Sequence, residues 1–314
     1  MTMNFAKSVT EITPILGYII LLFIAKLFLT WSFLVDIITF SIYVLGFDIL
    51  AGYMGWISFG HVLWLGTGSY AFALFIRHIN PNPLLALLSS LAIAASIGFI
   101  ASFVALRKGG AYFALINLAF ACLGFFLVTV PFKDITGGYE GIWVRMEPLP
   151  LLNFLDRDVY YGFLVLVFAV ILFMYKRFAG SSFSYLLRAI KEDETRVEFL
   201  GYDTFRIKQI AYILSVTLSA LAGSLYSGAY GYASAVLMNP LRSVEVIVAA
   251  LIGGSGTFYG ALLGAFLFVA LKDLASAMIV YWELFLGLTF VLLMSTIRGG
   301  FYSLIRKAIG GERA

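Results

Sequence analysis

The sequence predicts an all-α integral membrane protein, a polytopic bundle of about eight to ten membrane helices that include broken or half-spanning helices. Of its 314 residues, 62% are hydrophobic and only 12% are charged, and the mean hydropathy is +0.98. Soluble domains carry roughly one-quarter charged residues, and a soluble fold cannot hide this much apolar surface. We therefore expect residues 1–314 to form a single transmembrane domain embedded in a lipid bilayer.

Apolar runs separated by turn-forming residues give the expected spans. The runs cover residues 14–33, 34–52, 56–76, 84–106, 112–131, 160–175, 207–230, 244–274 and 283–297. The run 244–274 contains Gly253, Gly254 and Gly256 near its middle, which predicts a broken pair of helices that enters and leaves on one face. A second break is predicted in the glycine-rich segment 52–70, since irregular backbone at membrane depth is tolerated where it faces protein or a water-filled cavity.

The distribution of Lys and Arg predicts the orientation. Most of these residues fall in alternate loops, and the positive-inside rule places such loops in the cytoplasm. Both termini and the loop 176–206 are therefore predicted to be cytoplasmic, in the cell membrane, and the loop 132–159 external. The basic residues form no stripe, which argues against a nucleic-acid partner.

The residues also argue against an enzyme. The sequence has no G-x-x-x-x-G-K-[ST] phosphate loop and no evident set of nucleophile and base. His61 lacks the clustered carboxylates or thiols of a metal site. We expect no cofactor and no catalytic residue.

The loop 176–206 predicts an amphipathic surface helix over 184–201. Ser182 or Ser184 is the expected cap, and Gly201 suits the left-handed residue that ends a helix. The residues leave two interpretations open, a solvated connector or a docking helix for a cytoplasmic partner. In the second, the apolar face is buried in the partner and charges lie at its rim. The candidate coupling residues are Leu186, Leu187, Arg188, Ile190, Glu192, Glu198 and Gly201.

Small residues recur at every fourth position of the run 207–230 and predict close helix packing. They are Ala211, Ser215, Ser219, Gly223, Ser227 and Gly231.

The segment 52–70 has two open interpretations, close packing or a wall of a translocation path for a zwitterionic or amide-like small-molecule solute. The candidate path residues are Gly55, Trp56, Ser58, Gly60 and His61.

Ionisable residues inside predicted spans need a partner or a polar route. A turn near Phe33 would let Lys26 and Asp36 form an ion pair across the first helical hairpin. The alternative is a proton relay through Asp36, Asp48 or His61.

Four stretches carry a family resemblance over about residues 46–300: AGYMGWISFGHVLWLGTGSYAFALF, TGGYEGI, RAIKEDETRVEFLGYDTFRIKQIAYILSVTLSALAGSLYS and SVEVIVAALIGGSGTFYGALLGAFLF. Together they resemble the branched-chain amino acid permease family of bacterial and archaeal ABC importers, nearest to its LivM-type subunits. The residues Arg188 to Ile190, Glu192, Glu198 and Gly201 match the family's ATPase-coupling loop. Trp56 departs from the family, which commonly has Gln there.

The resemblance implies a permease paired with a second permease chain, two cytoplasmic ABC ATPase subunits and an external solute-binding protein. We expect an ATP-driven importer for branched-chain or other hydrophobic amino acids that works by alternating access. The competing hypothesis is a proton-coupled secondary transporter that acts without an ATPase.

Overall fold

The chain is a bundle of membrane helices. The computed structural model describes residues 17–20, 22–148, 153–278, 284, 287–288 and 300–303. Within these residues, six helices are long and apolar enough to cross a membrane. Both termini and almost all of the predicted span 283–297 lie outside the described residues.

The helices are numbered in chain order. α1 is Trp31–Asp48, which continues as a π-helix over Ile49–Met54, followed by α2 (Val62–His78), α3 (Pro83–Ala105), α4 (Ala111–Thr129) and the short α5 (Lys133–Thr136). Then come α6 (Arg157–Ala179), α7 (Ser182–Phe199), α8 (Thr204–Tyr230), α9 (Ser243–Gly253) and α10 (Phe258–Met278), with 3-10 turns at Ala235–Met238 and Pro240–Arg242.

The first helical hairpin differs from the prediction. The chain turns over residues 26–30 instead of near Phe33, and Thr30 adopts an extended backbone before α1 begins. Because the turn comes earlier, Lys26 and Asp36 do not form the predicted ion pair, and that prediction is wrong. Lys26 Nζ instead lies 2.9 Å from Asp158 Oδ1 at the start of α6, and Asp36 accepts a 2.7 Å hydrogen bond from the Tyr230 hydroxyl.

Helix α8 lies at the centre of the bundle and packs against α1, α2 and α3. The stripe of small residues is buried, with Ala211, Ser215, Ser219 and Ser227 all at 0% exposure. The hydroxyls of Ser224 and Ser90 on α3 lie 2.7 Å apart. The prediction of close packing along α8 is therefore confirmed, and the serines add interhelical hydrogen bonds.

Both predicted breaks are present. α9 ends at Gly253, and α10 begins at Phe258. The backbone of Gly254 has φ 102, a region that L side chains rarely adopt. The other break lies between the end of the π-helix at Met54 and the start of α2 at Val62.

The described chain also holds one small β element, which the all-α prediction missed. Ile142–Trp143 pairs antiparallel with Tyr232–Ala233, so the loop after α5 is joined to the end of α8. Two-residue strands carry no detectable alternating pattern.

The packing of α8 predicts a specific loss of stability. A Cβ at Gly223 would overlap the Leu65 backbone of α2, and overpacking costs about 1–3 kcal/mol. We expect Gly223→Ala to lower the midpoint of thermal unfolding in detergent by several degrees. Gly162→Ala is the matched control, because a Cβ there on α6 meets nothing within 4 Å. Equal midpoints for the two variants would contradict the close approach.

Candidate functional site

The amphipathic surface helix is present as α7. Its N-cap is Ser181, whose side chain accepts from the Ser184 amide at 3.3 Å, so the predicted cap at Ser182 or Ser184 is wrong by one or more residues. Gly201 has φ 88, which confirms the left-handed end. The backbone of Asp193 is extended, and its side chain caps the second half of α7 by accepting from the Arg196 amide at 3.1 Å.

One face of α7 is buried within this chain. Leu187 is 0% exposed and Ile190 4%, and Leu186 is half-buried. The side chains of Leu187 and Ile190 are thus already covered by this chain. The prediction that Leu187 and Ile190 insert into a partner protein is therefore wrong, because each helix residue can face only one way.

Large apolar side chains of α7 and of the turn that follows it are exposed to the outside. Tyr185 is 62% exposed in the first half of α7, and Phe199 at 87% and Leu200 at 72% lie after the interruption at Asp193. Glu192 is also exposed. Exposed aromatic and aliphatic residues beside charges are typical of a protein contact surface.

Two cations of α7 bind the two helix breaks. Arg188 Nη2 donates to the Gly256 carbonyl at 3.1 Å, and its guanidinium lies 4.9 Å from the centroid of the Tyr53 ring. Lys191 Nζ donates to the Gly52 carbonyl at 3.0 Å. Interrupted helices leave backbone carbonyls without their usual partners. α7 supplies charged donors to the Gly256 carbonyl within the α9–α10 break and to the Gly52 carbonyl in the last turn of the π-helix before the other break.

The buried carboxylate of Asp48 binds the α9–α10 break from inside. It accepts from the Gly256 amide at 2.8 Å and from the Tyr175 hydroxyl at 2.7 Å. A Cβ at Gly52 would overlap both Asp48 and the Gly256 backbone, so glycine is required for this close approach. Asp48 is therefore a structural acceptor that connects α1, α6 and the α9–α10 break.

The second half of α7 is fixed to the start of α8. The Thr204 hydroxyl contacts Glu194 at 2.9 Å and Glu198 at 2.8 Å. Lys208 forms an ion pair with Glu194 and lies 4.9 Å from the centroid of the Trp56 ring. Glu198, a candidate coupling residue, thus joins two helices within this chain.

The candidate path residues lie in the break between the π-helix and α2. Ser58 and His61 are 0% exposed, and His61 Nε2 lies 2.7 Å from the Ser219 hydroxyl of α8. A Cβ at Gly60 would overlap the Asn117 backbone of α4. Close packing explains Gly60, while the transport role of Trp56, Ser58 and His61 stays a prediction.

A cavity of about 220 Å³ lies next to this segment. Val62, the residue after His61, is part of its lining. Trp56, Ser58 and His61 do not line it. Its charged lining residues are Asp36 of α1, Arg242 and Glu245 at the start of α9, and Lys272 and Asp273 of α10. The sequence alone did not single out the last four of these residues, because mixed charges spread over residues 242–273 form no local motif.

Broken helices beside a charged cavity, within a multi-pass helical bundle, are the architecture of a membrane transport protein. The comparisons with known proteins define which kind. The sequence model of the family described as "Branched-chain amino acid transport system / permease component" matches residues 29–294. The chain belongs to this family, and it is a permease component and not an enzyme.

Individual relatives agree with this assignment. The permease protein LivM of the high-affinity branched-chain amino acid transport system of Escherichia coli is 28% identical over 299 residues, which cover 84% of this chain and 70% of that protein. LivH of the same bacterium is 25% identical, over 76% of this chain and 82% of that protein. A probable LivM of Methanocaldococcus jannaschii is 27% identical, over 45% of this chain and 41% of that protein. No solved structure is a significant match.

Proposed function

We propose that the chain is the single-domain membrane-spanning subunit of an ATP-driven importer for branched-chain or other hydrophobic amino acids. The observation that carries this proposal is the position of α7, which binds carbonyls at both helix breaks and the start of α8 through Arg188, Lys191 and Glu194. Movement of α7 would be transmitted to three membrane segments at once. Such a connection is expected in a membrane subunit that is moved by separate ATPase subunits.

The relatives' names support the solute class, since LivM and LivH are branched-chain amino acid permease proteins. An importer of this kind requires cytoplasmic ABC ATPases, a second permease subunit that is a related chain or a second copy, and an external solute-binding protein. In this arrangement, ATPase closure moves α7, and the breaks re-orient α9 and α10 around the path. Packing contacts account for Asp36, Asp48 and the Nε2 atom of His61, which bind Tyr230, Gly256 and Ser219. The proton-coupled secondary transporter remains the competing hypothesis.

The ATPase surface is proposed to be the exposed face of α7. Fully burying a large apolar side chain such as Phe or Leu contributes roughly 1.5–3 kcal/mol to binding, whereas an exposed ion pair contributes about 0–1 kcal/mol. The apolar residues Tyr185, Phe199 and Leu200 are therefore expected to dominate docking, and Glu192 to adjust its orientation.

We expect Phe199→Asp to reduce the amount of ATPase that copurifies with the permease by at least roughly tenfold, because a charge replaces the largest exposed apolar contact. Quantitative copurification in mild detergent measures this. Tyr139→Asp is the matched control, since Tyr139 is 68% exposed in the loop after α5 and is expected to have no effect. Full recovery of ATPase with Phe199→Asp would mean that this face of α7 is a solvated surface.

The proposed orientation places α7 in the cytoplasm and the loop after α5 outside. In a chain with Cys122 replaced by Ser, we expect Thr195→Cys to react with an impermeant maleimide only after the cells are permeabilised. Glu140→Cys is expected to react in intact cells. Both side chains are exposed, so accessibility is comparable. Labelling of Thr195→Cys in intact cells would reverse the orientation and remove the coupling role of α7.

A further inference from the structure

We propose that the charged cavity between α1, α2, α8, α9 and α10 binds the zwitterionic group of the amino acid, with Arg242 holding its carboxylate and Asp36 its ammonium. This inference rests on the proposed function and assigns residues to its solute site. The cavity, at about 220 Å³, is smaller than the roughly 300–1,000 Å³ of sites for drug-sized ligands. Its size therefore suits a small solute.

Two cations of the cavity meet at Glu245. Arg242 Nε lies 3.5 Å and Lys272 Nζ 3.0 Å from the same carboxylate oxygen of Glu245. This carboxylate therefore holds both cationic side chains at the cavity wall. Arg242 makes its Glu245 contact through Nε, and its Nη atoms carry four further N–H groups in the planar arrangement that suits a carboxylate.

Asp36 supplies the carboxylate for the ammonium group. Its Oδ1 accepts from Tyr230 at 2.7 Å, which fixes the carboxylate in one orientation. The second oxygen can accept a hydrogen bond from a bound ammonium group. Asp273 adds a further carboxylate to the lining, which thus carries three carboxylates and two cations and can meet both charges of a zwitterionic ligand.

The buried hydroxyl of Tyr43 indicates that the cavity takes a polar ligand. Tyr43 lines the cavity and is 2% exposed, and its hydroxyl has no hydrogen-bond partner among the described residues. Buried hydroxyls are almost always paired in folded proteins, because an unpaired one costs free energy. A polar ligand in the cavity would supply the partner.

Most of the remaining lining is apolar and would contact the side chain of the solute. Phe40 and Phe268 stack with their ring centroids 5.2 Å apart, and Phe33 and Leu237 extend the same lining. A few placed charges within apolar walls are typical of a site for a small ligand. The combination fits an amino acid with a hydrophobic side chain.

The test measures binding to the assembled complex in nanodiscs without the external binding protein. The probes are L-leucine, 3-methylbutylamine, which lacks the carboxylate, and 4-methylpentanoate, which lacks the ammonium. We expect Asp36→Asn to weaken L-leucine binding by roughly tenfold or more and to leave 4-methylpentanoate unaffected. We expect Arg242→Gln to weaken L-leucine similarly and to leave 3-methylbutylamine unaffected.

Three variants complete the design. Asp36→Glu retains the charge and is expected to restore L-leucine binding towards the wild-type level. Tyr43→Phe is expected to weaken L-leucine binding several-fold. Asp158→Asn removes a carboxylate of an ion pair outside the cavity and is the matched control, with wild-type binding expected.

Two results would overturn the assignment. Equal weakening of all three probes by Asp36→Asn and Arg242→Gln would mean that these residues act only on the fold. Wild-type binding of L-leucine in both variants would mean that the solute binds elsewhere. The proposed function is judged separately on the wild-type complex, because it fails only if no ATPase copurifies or if uptake into proteoliposomes is independent of ATP.

Discussion

Asp48 places a buried carboxylate between α1, α6 and the α9–α10 break. A charge in a membrane bundle is costly unless hydrogen bonds and nearby charges compensate it. Asp48 obtains that compensation from the Gly256 amide and the Tyr175 hydroxyl, and the cations Arg188 and Lys191 interact with it electrostatically. The Gly256 amide is available only because the helix is broken there. One carboxylate therefore requires both a break in the α9–α10 hairpin and a cationic helix beside it.

The position of α7 follows from this constraint. Its cations bind carbonyls at the two breaks, and its acidic second half binds Thr204 and Lys208 of α8. These polar contacts, together with the burial of Leu187 and Ile190, attach both halves of α7 to the membrane helices. In the proposed coupling, movement of α7 would pass to the breaks through these contacts, because packed interiors do not deform continuously.

The sequence predicted those features that leave a local or periodic pattern. Apolar runs identified the spans, glycine clusters marked both breaks, and the four-residue spacing of small side chains predicted the packing of α8. Gly201 was correctly assigned because only glycine readily takes a left-handed backbone. The family resemblance, carried by four quoted stretches, was confirmed by the family match over residues 29–294.

The features that the sequence did not predict depend on contacts between distant residues. An amphipathic pattern shows which face of α7 is apolar, but it does not show whether the chain itself covers that face, and Leu187 proved to be covered. The pairing of Lys26 with Asp158 joins residues more than a hundred positions apart, so a local turn argument selected the wrong partner. The cavity collects Asp36, Arg242 and Lys272 from three helices, and no spacing within one segment relates them.

If α7 transmits ATPase movement to the helix breaks through Arg188, the loss of this side chain should change the number of ATP molecules hydrolysed per L-leucine imported into proteoliposomes. We expect the Arg188→Gln complex to retain the ATPases and their activity but to raise this ratio several-fold, because the Gly256 carbonyl loses its charged donor. Arg206→Gln is the control, since the exposed side chain of Arg206 pairs with Asp203 beside the same helix. A wild-type ratio and a wild-type uptake rate in the Arg188→Gln complex would mean that α7 does not act on the breaks through Arg188.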